Sequence, residues 1–159
     1  MKTGVVPRDP QFGILLPIAP VANVERVSDG ETVSAGTVTL TAHSTPGHTP
    51  GGMNRTSRSC EKGRCLSLVY ADSVSAVSAD GYLFGKRTEK AHGEDFERRF
   101  AFLESTACDL LITPHPEVAG LWTHMAEGRN ADALIDTAAC RTLAGNAREQ
   151  LKKRFAGER

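Results

Sequence analysis

Residues 43 to 52 read His43-Ser44-Thr45-Pro46-Gly47-His48-Thr49-Pro50-Gly51-Gly52. Two prolines and three glycines in ten residues exclude helix and central strand. The stretch must be a stiff loop, and the strand-like run Val38-Thr39-Leu40-Thr41-Ala42 leads into it. A histidine on such a loop at a strand end is placed to bind a metal or move a proton, and His48 is that histidine. A structural turn with an incidental histidine is the competing reading.

Two more strand ends carry polar groups. Leu66-Ser67-Leu68-Val69-Tyr70-Ala71 reads as a strand that ends at Asp72-Ser73. Leu110-Leu111-Ile112-Thr113 reads as a short buried strand that breaks at Pro114-His115-Pro116. The flanking prolines remove backbone freedom from His115, which suits a preorganised ligand. A rigid turn whose histidine caps the next helix competes with that reading. Loops at strand ends are where open α/β sheets place ligands. By arithmetic the donor set is incomplete, since a zinc site takes at least three protein ligands and only His48, His115 and an ambiguous Asp72-Ser73 are offered. His43 reads as a packing or solvent-facing strand residue, His92 as part of a surface loop, and His124 as a helix-surface residue. H-x-H-x-D-H, H-E-x-x-H, G-x-S-x-G, a P-loop and G-x-G-x-x-G are all absent. A serine triad on Ser73 and His115 lacks a nucleophile elbow.

The remaining sequence reads as one α/β or α+β layered domain over residues 1–159. With 19 basic and 19 acidic residues the formal charge is zero, which argues against nucleic acid as a partner. No apolar run reaches the roughly 20 residues of a membrane span, and the first residues lack the apolar core of a secretory signal. Phe12, Ile14, Leu15 and Leu16 are expected to anchor a proline-rich start, Val21 to Val27 to form a short strand, and Thr32 to Ala42 a meander. Helices are expected over Glu94 to Ala107 (Phe96, Phe100 and Leu103 on one face), Glu117 to about Ala126, and 138 to 156. Four cysteines, Cys60, Cys65, Cys108 and Cys140, allow two disulfides in three connectivities, or four thiols. A disulfide across the polar tip between Cys60 and Cys65 is sterically allowed. C-x4-C without a second knuckle does not read as structural zinc.

Thr45-Pro46-Gly47-His48-Thr49-Pro50-Gly51-Gly52, Val69-Tyr70-Ala71-Asp72-Ser73 and Leu111-Ile112-Thr113-Pro114-His115-Pro116 follow one another at suitable spacing. With Asp9-Pro10-Gln11-Phe12-Gly13, Pro17 to Ala22 and the ending from Ala133 to Arg141 before a basic helix, they resemble the C-terminal part of the subclass B3 metallo-β-lactamases. Pro-Gly-His-Thr-Pro-Gly is shared across the wider metallo-hydrolase superfamily; Thr-Pro-His-Pro and Tyr-Ala-Asp-Ser narrow the resemblance to subclass B3. The resemblance implies a portion of an αββα sandwich with two zinc ions per complete domain. It implies His48 as a ligand of the first zinc, His115 as a ligand of the second, Ser73 beside zinc-bound water and Ser75 on the substrate carboxylate. It also implies the pairs Cys108 with Cys140 and Cys60 with Cys65. The family's H-x-H-x-D-H ligands lie in an N-terminal half not found in this sequence, so the ligand set is incomplete. Met53-Asn54-Arg55 stands where the family commonly reads Thr-Ser-Trp. The sequence looks like an N-terminally truncated product beginning at an internal Met1.

The resemblance implies zinc-dependent hydrolysis of small-molecule β-lactams, in a family that is periplasmic or secreted. A non-catalytic fragment, or one that works only with a complementary N-terminal half, is the second expectation. A superfamily thioesterase or lactonase with Asp72 as the bridging ligand is the third.

Overall fold

The computed structural model describes residues 9–16, 19–85, 90–127 and 131–158. Pro7, Pro17 and Ile18 of the proline-rich start lie outside them.

Residues that alternate across a pleat build a five-stranded sheet in chain order. Strands β1 (Thr32–Ala35), β2 (Val38–Ser44), β3 (Met53–Glu61) and β4 (Arg64–Tyr70) form an antiparallel meander. Strand β5 (Leu110–Ile112) lies parallel to β4. A parallel neighbour needs a crossover, and helix α1 (Lys90–Ser105) supplies it. Between β3 and β4 the two-residue turn has positive φ at both Lys62 and Gly63, a geometry that matches strand twist. A disulfide joins Cys60 to Cys65, which are cross-strand partners at that tip.

One face of the sheet is covered by α1 and the C-terminal helix α3 (Ala139–Gly157), which pack against each other. The core contains Val69 and Leu111 from the sheet, Phe96, Phe100 and Leu103 from α1, and Leu143 and Leu151 from α3. The spacing of Phe96, Phe100 and Leu103 puts all three on one helix face. Burying each such side chain contributes about 1.5–3 kcal/mol. Ala144 and Ala147 are buried as well, and their small side chains let α3 approach closely. A second disulfide, Cys108 to Cys140, fastens the approach to β5 to the first turn of α3. The other face carries Leu40, Leu68, Tyr70 and Ile112 along a groove of about 480 Å³.

Four sequence expectations change. Val21 to Val27 forms no strand and leaves the outer edge of β1 unpaired among the described residues. The helix expected from Glu117 is divided. A 3₁₀ turn (Pro116–Ala119) stops at Gly120, whose φ of 65° is left-handed, and helix α2 (Leu121–Glu127) starts afresh. Phe12, Ile14, Leu15 and Leu16 do not anchor the start, being 53 to 89% exposed. Pro10 is buried instead, and its carbonyl accepts a bond from Ala79 N at 2.8 Å. Position 92, expected in a loop, falls in α1.

Candidate functional site at three strand ends

The His48 loop begins where β2 ends. Thr45 N donates to Gly52 O at 3.0 Å, closing the loop's base, and Gly52 N donates to Thr49 O at 3.2 Å. Gly47 has φ of 143° and lies against the Phe96 ring, so neither the backbone nor the space tolerates a larger residue.

Arg99 ties this loop to the end of β4. It is fully buried in α1. Its Nε donates to Thr45 O at 2.6 Å. Nη2 reaches the same carbonyl, Nη1 reaches Ser73 O, and Asp72 Oδ2 lies 3.8 Å from Nη2. A Cβ on Gly52 would collide with Nη2, so the absent side chain makes room for the guanidinium. Burial pulls the Arg99 pKa down to about 10 against the opposing pull of Asp72 and Asp95. The group is therefore charged at neutral pH.

Asp72 is held from several directions. Its Oδ1 accepts from Ser73 N at 2.8 Å, and its own N donates to Asn54 Oδ1 at 3.0 Å. Asn54, in the segment that departs from the family's Thr-Ser-Trp, is fully buried on β3. Its N donates to Thr45 Oγ1 at 2.9 Å, while its Nδ2 has no partner among the described residues.

The His48 ring is oriented by the passage after Ser73. Its Nδ1 lies 2.7 Å from Ser75 O and 3.4 Å from Ser75 Oγ. A carbonyl only accepts, so Nδ1 carries the hydrogen and Nε2 presents the lone pair. Gln11 Nε2 approaches that lone pair at 2.8 Å.

His115 has the extended backbone that its prolines impose, with φ −114° and ψ 90°. Its side chain is 66% exposed, with Nδ1 3.7 Å from Glu117 Oε1. It makes no side-chain cap on the following turn. Thr113 Oγ1 donates to the His115 carbonyl at 2.7 Å. A cleft of about 110 Å³ gathers Asp72, Ser73, Ser75, Thr113 and His115, with Gln150 from α3. His48 borders this set through Ser75. His43 packs on Phe102 and bonds Thr56 Oγ1 at 2.8 Å, and so belongs to the fold.

The described residues do not by themselves fit a dinuclear zinc centre. Among them no three His, Cys, Asp or Glu side chains converge as a metal-binding group. The lone pair of His48 meets an amide, and both Asp72 oxygens face internal partners.

Sequence reading missed Arg99, Gln11 and Asn54. Arg99 had a signal: it stands three residues after Phe96, inside the apolar stripe of α1, where a charge must have a partner. Gln11 and Asn54 stood in segments that the resemblance singled out, but an amide in a loop or strand does not show which group it will meet.

No family profile matches the chain. Solved structures do. SMB-1 metallo-β-lactamase bound to 2-mercaptoethanesulfonate matches with a TM-score of 0.92 and 42% identity, over 99% of this chain and 61% of that one. Rm3 metallo-β-lactamase matches with a TM-score of 0.90 and 41% identity, over 97% and 58%. MEM-A1, a subclass B3 metallo-β-lactamase from a soil metagenome library, matches with a TM-score of 0.90 and 38% identity, over 98% and 60%. The chain thus spans about three fifths of the length of these relatives. Agreement of backbone and sequence over nearly every residue here places the chain in the subclass B3 metallo-β-lactamase family, as a part of that family's domain.

Proposed function

We propose that this chain is the part of a zinc-dependent β-lactam hydrolase that carries His48 and His115 as metal donors, with Ser73 and Ser75 at the substrate. Residues 1–159 act as one part of that family's domain, and an N-terminal half carrying H-x-H-x-D-H would complete the ligand set. The observation that carries this reading is the orientation of His48. Its Nδ1–H is fixed on the Ser75 carbonyl, the arrangement by which proteins orient a ligating imidazole. The lone pair a metal would take is thereby on the other nitrogen, Nε2, where Gln11 now sits.

When bound, zinc in such a domain would activate water and polarise the scissile amide. The chain's own contribution is positional. Arg99 fixes the His48 loop relative to Ser73, and the cleft brings His115 together with Ser73 and Ser75. Asp72 is engaged by Ser73 N and faces Arg99. That favours the β-lactam reading over a thioesterase or lactonase in which Asp72 bridges metals. No helix among the described residues is long and apolar enough to cross a membrane. Two disulfides favour an oxidising compartment, periplasmic or secreted.

The test is complementation. The chain purified alone, supplied with Zn²⁺, should hydrolyse penicillin and a carbapenem no faster than its His48→Ala variant. Coexpression with the H-x-H-x-D-H half of a subclass B3 relative should restore hydrolysis, and His48→Ala or His115→Ala should abolish it. Hydrolysis by the isolated chain well above the His48→Ala control overturns the need for the second half. Restored hydrolysis that survives both substitutions overturns the ligand assignments.

A further inference from the structure

The amide that meets His48 belongs to a built strap. Asp9 Oδ1 accepts from Gln11 N at 2.8 Å, and Phe12 N donates to Asp9 O at 2.9 Å, so Gln11 sits in a tight turn. Pro10 is buried beneath it and bonds Ala79 through its carbonyl. The strap is therefore docked on the same passage, Ser75 to Ala79, that orients the His48 ring.

For the neutral ring this contact has one consistent assignment. The Ser75 carbonyl requires a hydrogen on Nδ1, which leaves Nε2 of the neutral ring as an acceptor. Gln11 must then turn its NH₂ group, not its oxygen, toward Nε2. Both ring nitrogens are satisfied by the polypeptide. A metal ion seeking His48 needs the lone pair that Gln11 already uses.

We propose that the Gln11 carboxamide is an internal cap on His48, which competes with metal for this nitrogen while the carboxamide is turned onto the ring. The consequence for metal rests on the reading of His48 as a ligand; the capped imidazole itself does not. Asp9, Pro10 and the Ser75 carbonyl serve the cap as positioning groups. Opening the site requires only that one side chain swing away, since the strap's anchors are backbone and Asp9 contacts that do not involve the carboxamide.

The experiment uses the full ¹⁵N-labelled chain with Zn²⁺ as the probe. Long-range ¹H–¹⁵N correlation at neutral pH should show His48 protonated on Nδ1 only. In Gln11→Met, which keeps the bulk and removes the donor, the tautomer should persist while Nε2 shifts toward an unbonded position. Gln11→Ala should behave alike, so a folding defect in one variant leaves the other. In both, the Zn²⁺ concentration that shifts the His48 signals should fall roughly three- to tenfold, the worth of one lost hydrogen bond. A His48 protonated on Nε2, or Nε2 unmoved by both variants, overturns the cap. A measurable Zn²⁺ response of His48 that is equal in wild type and variants also overturns it as a barrier to metal. If Zn²⁺ moves no His48 signal in any protein while the tautomer and the Nε2 shift are as expected, the cap stands and the ligand reading falls.

Discussion

Arg99 donates through Nε to the carbonyl oxygen of Thr45 at 2.6 Å, across 54 positions of sequence. The same guanidinium also reaches Ser73 O. One buried cation thus holds two of the three strand ends that make the site. Its planar fork serves two carbonyls at once, which a lysine cannot reproduce. Arg99→Met should leave both carbonyls without this donor and Asp72 without its nearest cation. We expect a loss of about 3 kcal/mol in urea unfolding, with Arg99→Lys recovering only part of it. A loss under about 1 kcal/mol for Arg99→Met would mean that water replaces the guanidinium at both carbonyls.

Gly52 is the complement of Arg99. A Cβ there would press on Nη2 of the guanidinium and lie 3.0 Å from Thr45 O. Gly52→Ala should therefore destabilise the chain by about 1–3 kcal/mol, the usual range for overpacking. The two effects share an atom, so they should not add. In the Arg99→Met background, Gly52→Ala should be measurably milder than in wild type. Full additivity of the two losses would place the strain of Gly52→Ala in the loop backbone instead.

The two disulfides close loops of different size, with separations of 5 residues for Cys60–Cys65 and 32 for Cys108–Cys140. By loop-closure entropy, removing the longer one as Cys108→Ala/Cys140→Ala should cost about 3–4 kcal/mol, against about 2 kcal/mol for the hairpin pair. Replacing the buried Cys108 and Cys140 adds a packing loss on top. Urea unfolding of both double variants tests the order. A larger loss at the hairpin would show that the tip register, rather than chain entropy, limits stability.

What could be read in the sequence follows from what is local. The hairpin, the proline-bounded loops and the face of α1 each depend on a few neighbouring residues, and their spacing exposes them. The strand ends bearing His48, Ser73 and His115 were legible for the same reason. The contacts that decide the site's state were not. Gln11 and His48 stand 37 positions apart, and Asn54 and Asp72 stand 18 apart. Such pairings are set by the tertiary fold, and an amide gives no sign of which distant group it will meet. Gly120 shows a local signal misread. A glycine inside a helical pattern can continue it or end it, and here its left-handed φ ended the turn.

Arg148 on α3 joins the two covering helices, and its acidic partner makes that link sensitive to acid. Its Nη1 and Nη2 donate to the two Glu104 carboxylate oxygens at 2.5 and 3.1 Å, and its Nε donates to Glu97 at 3.1 Å. The guanidinium also lies 5.2 Å from the centre of the Phe100 ring. Bonding by Arg148 holds the Glu104 carboxyl below the usual carboxylate range. With a folded pKa below the unfolded one, the unfolded chain takes up its proton first as pH falls. The stabilisation is thus complete above the unfolded pKa and is lost as pH falls through the folded one. The Glu104 side chain is 40% exposed, so solvent screening keeps the pair's worth below about 1 kcal/mol. Glu104→Gln should lower stability by that amount at pH 7 and by nothing measurable once the wild-type carboxyl is protonated. Urea unfolding of both proteins from pH 7 down to the pH at which the wild-type carboxyl is protonated tests this, since a gap that persists there would assign the loss to the amide's own contacts rather than to the lost charge.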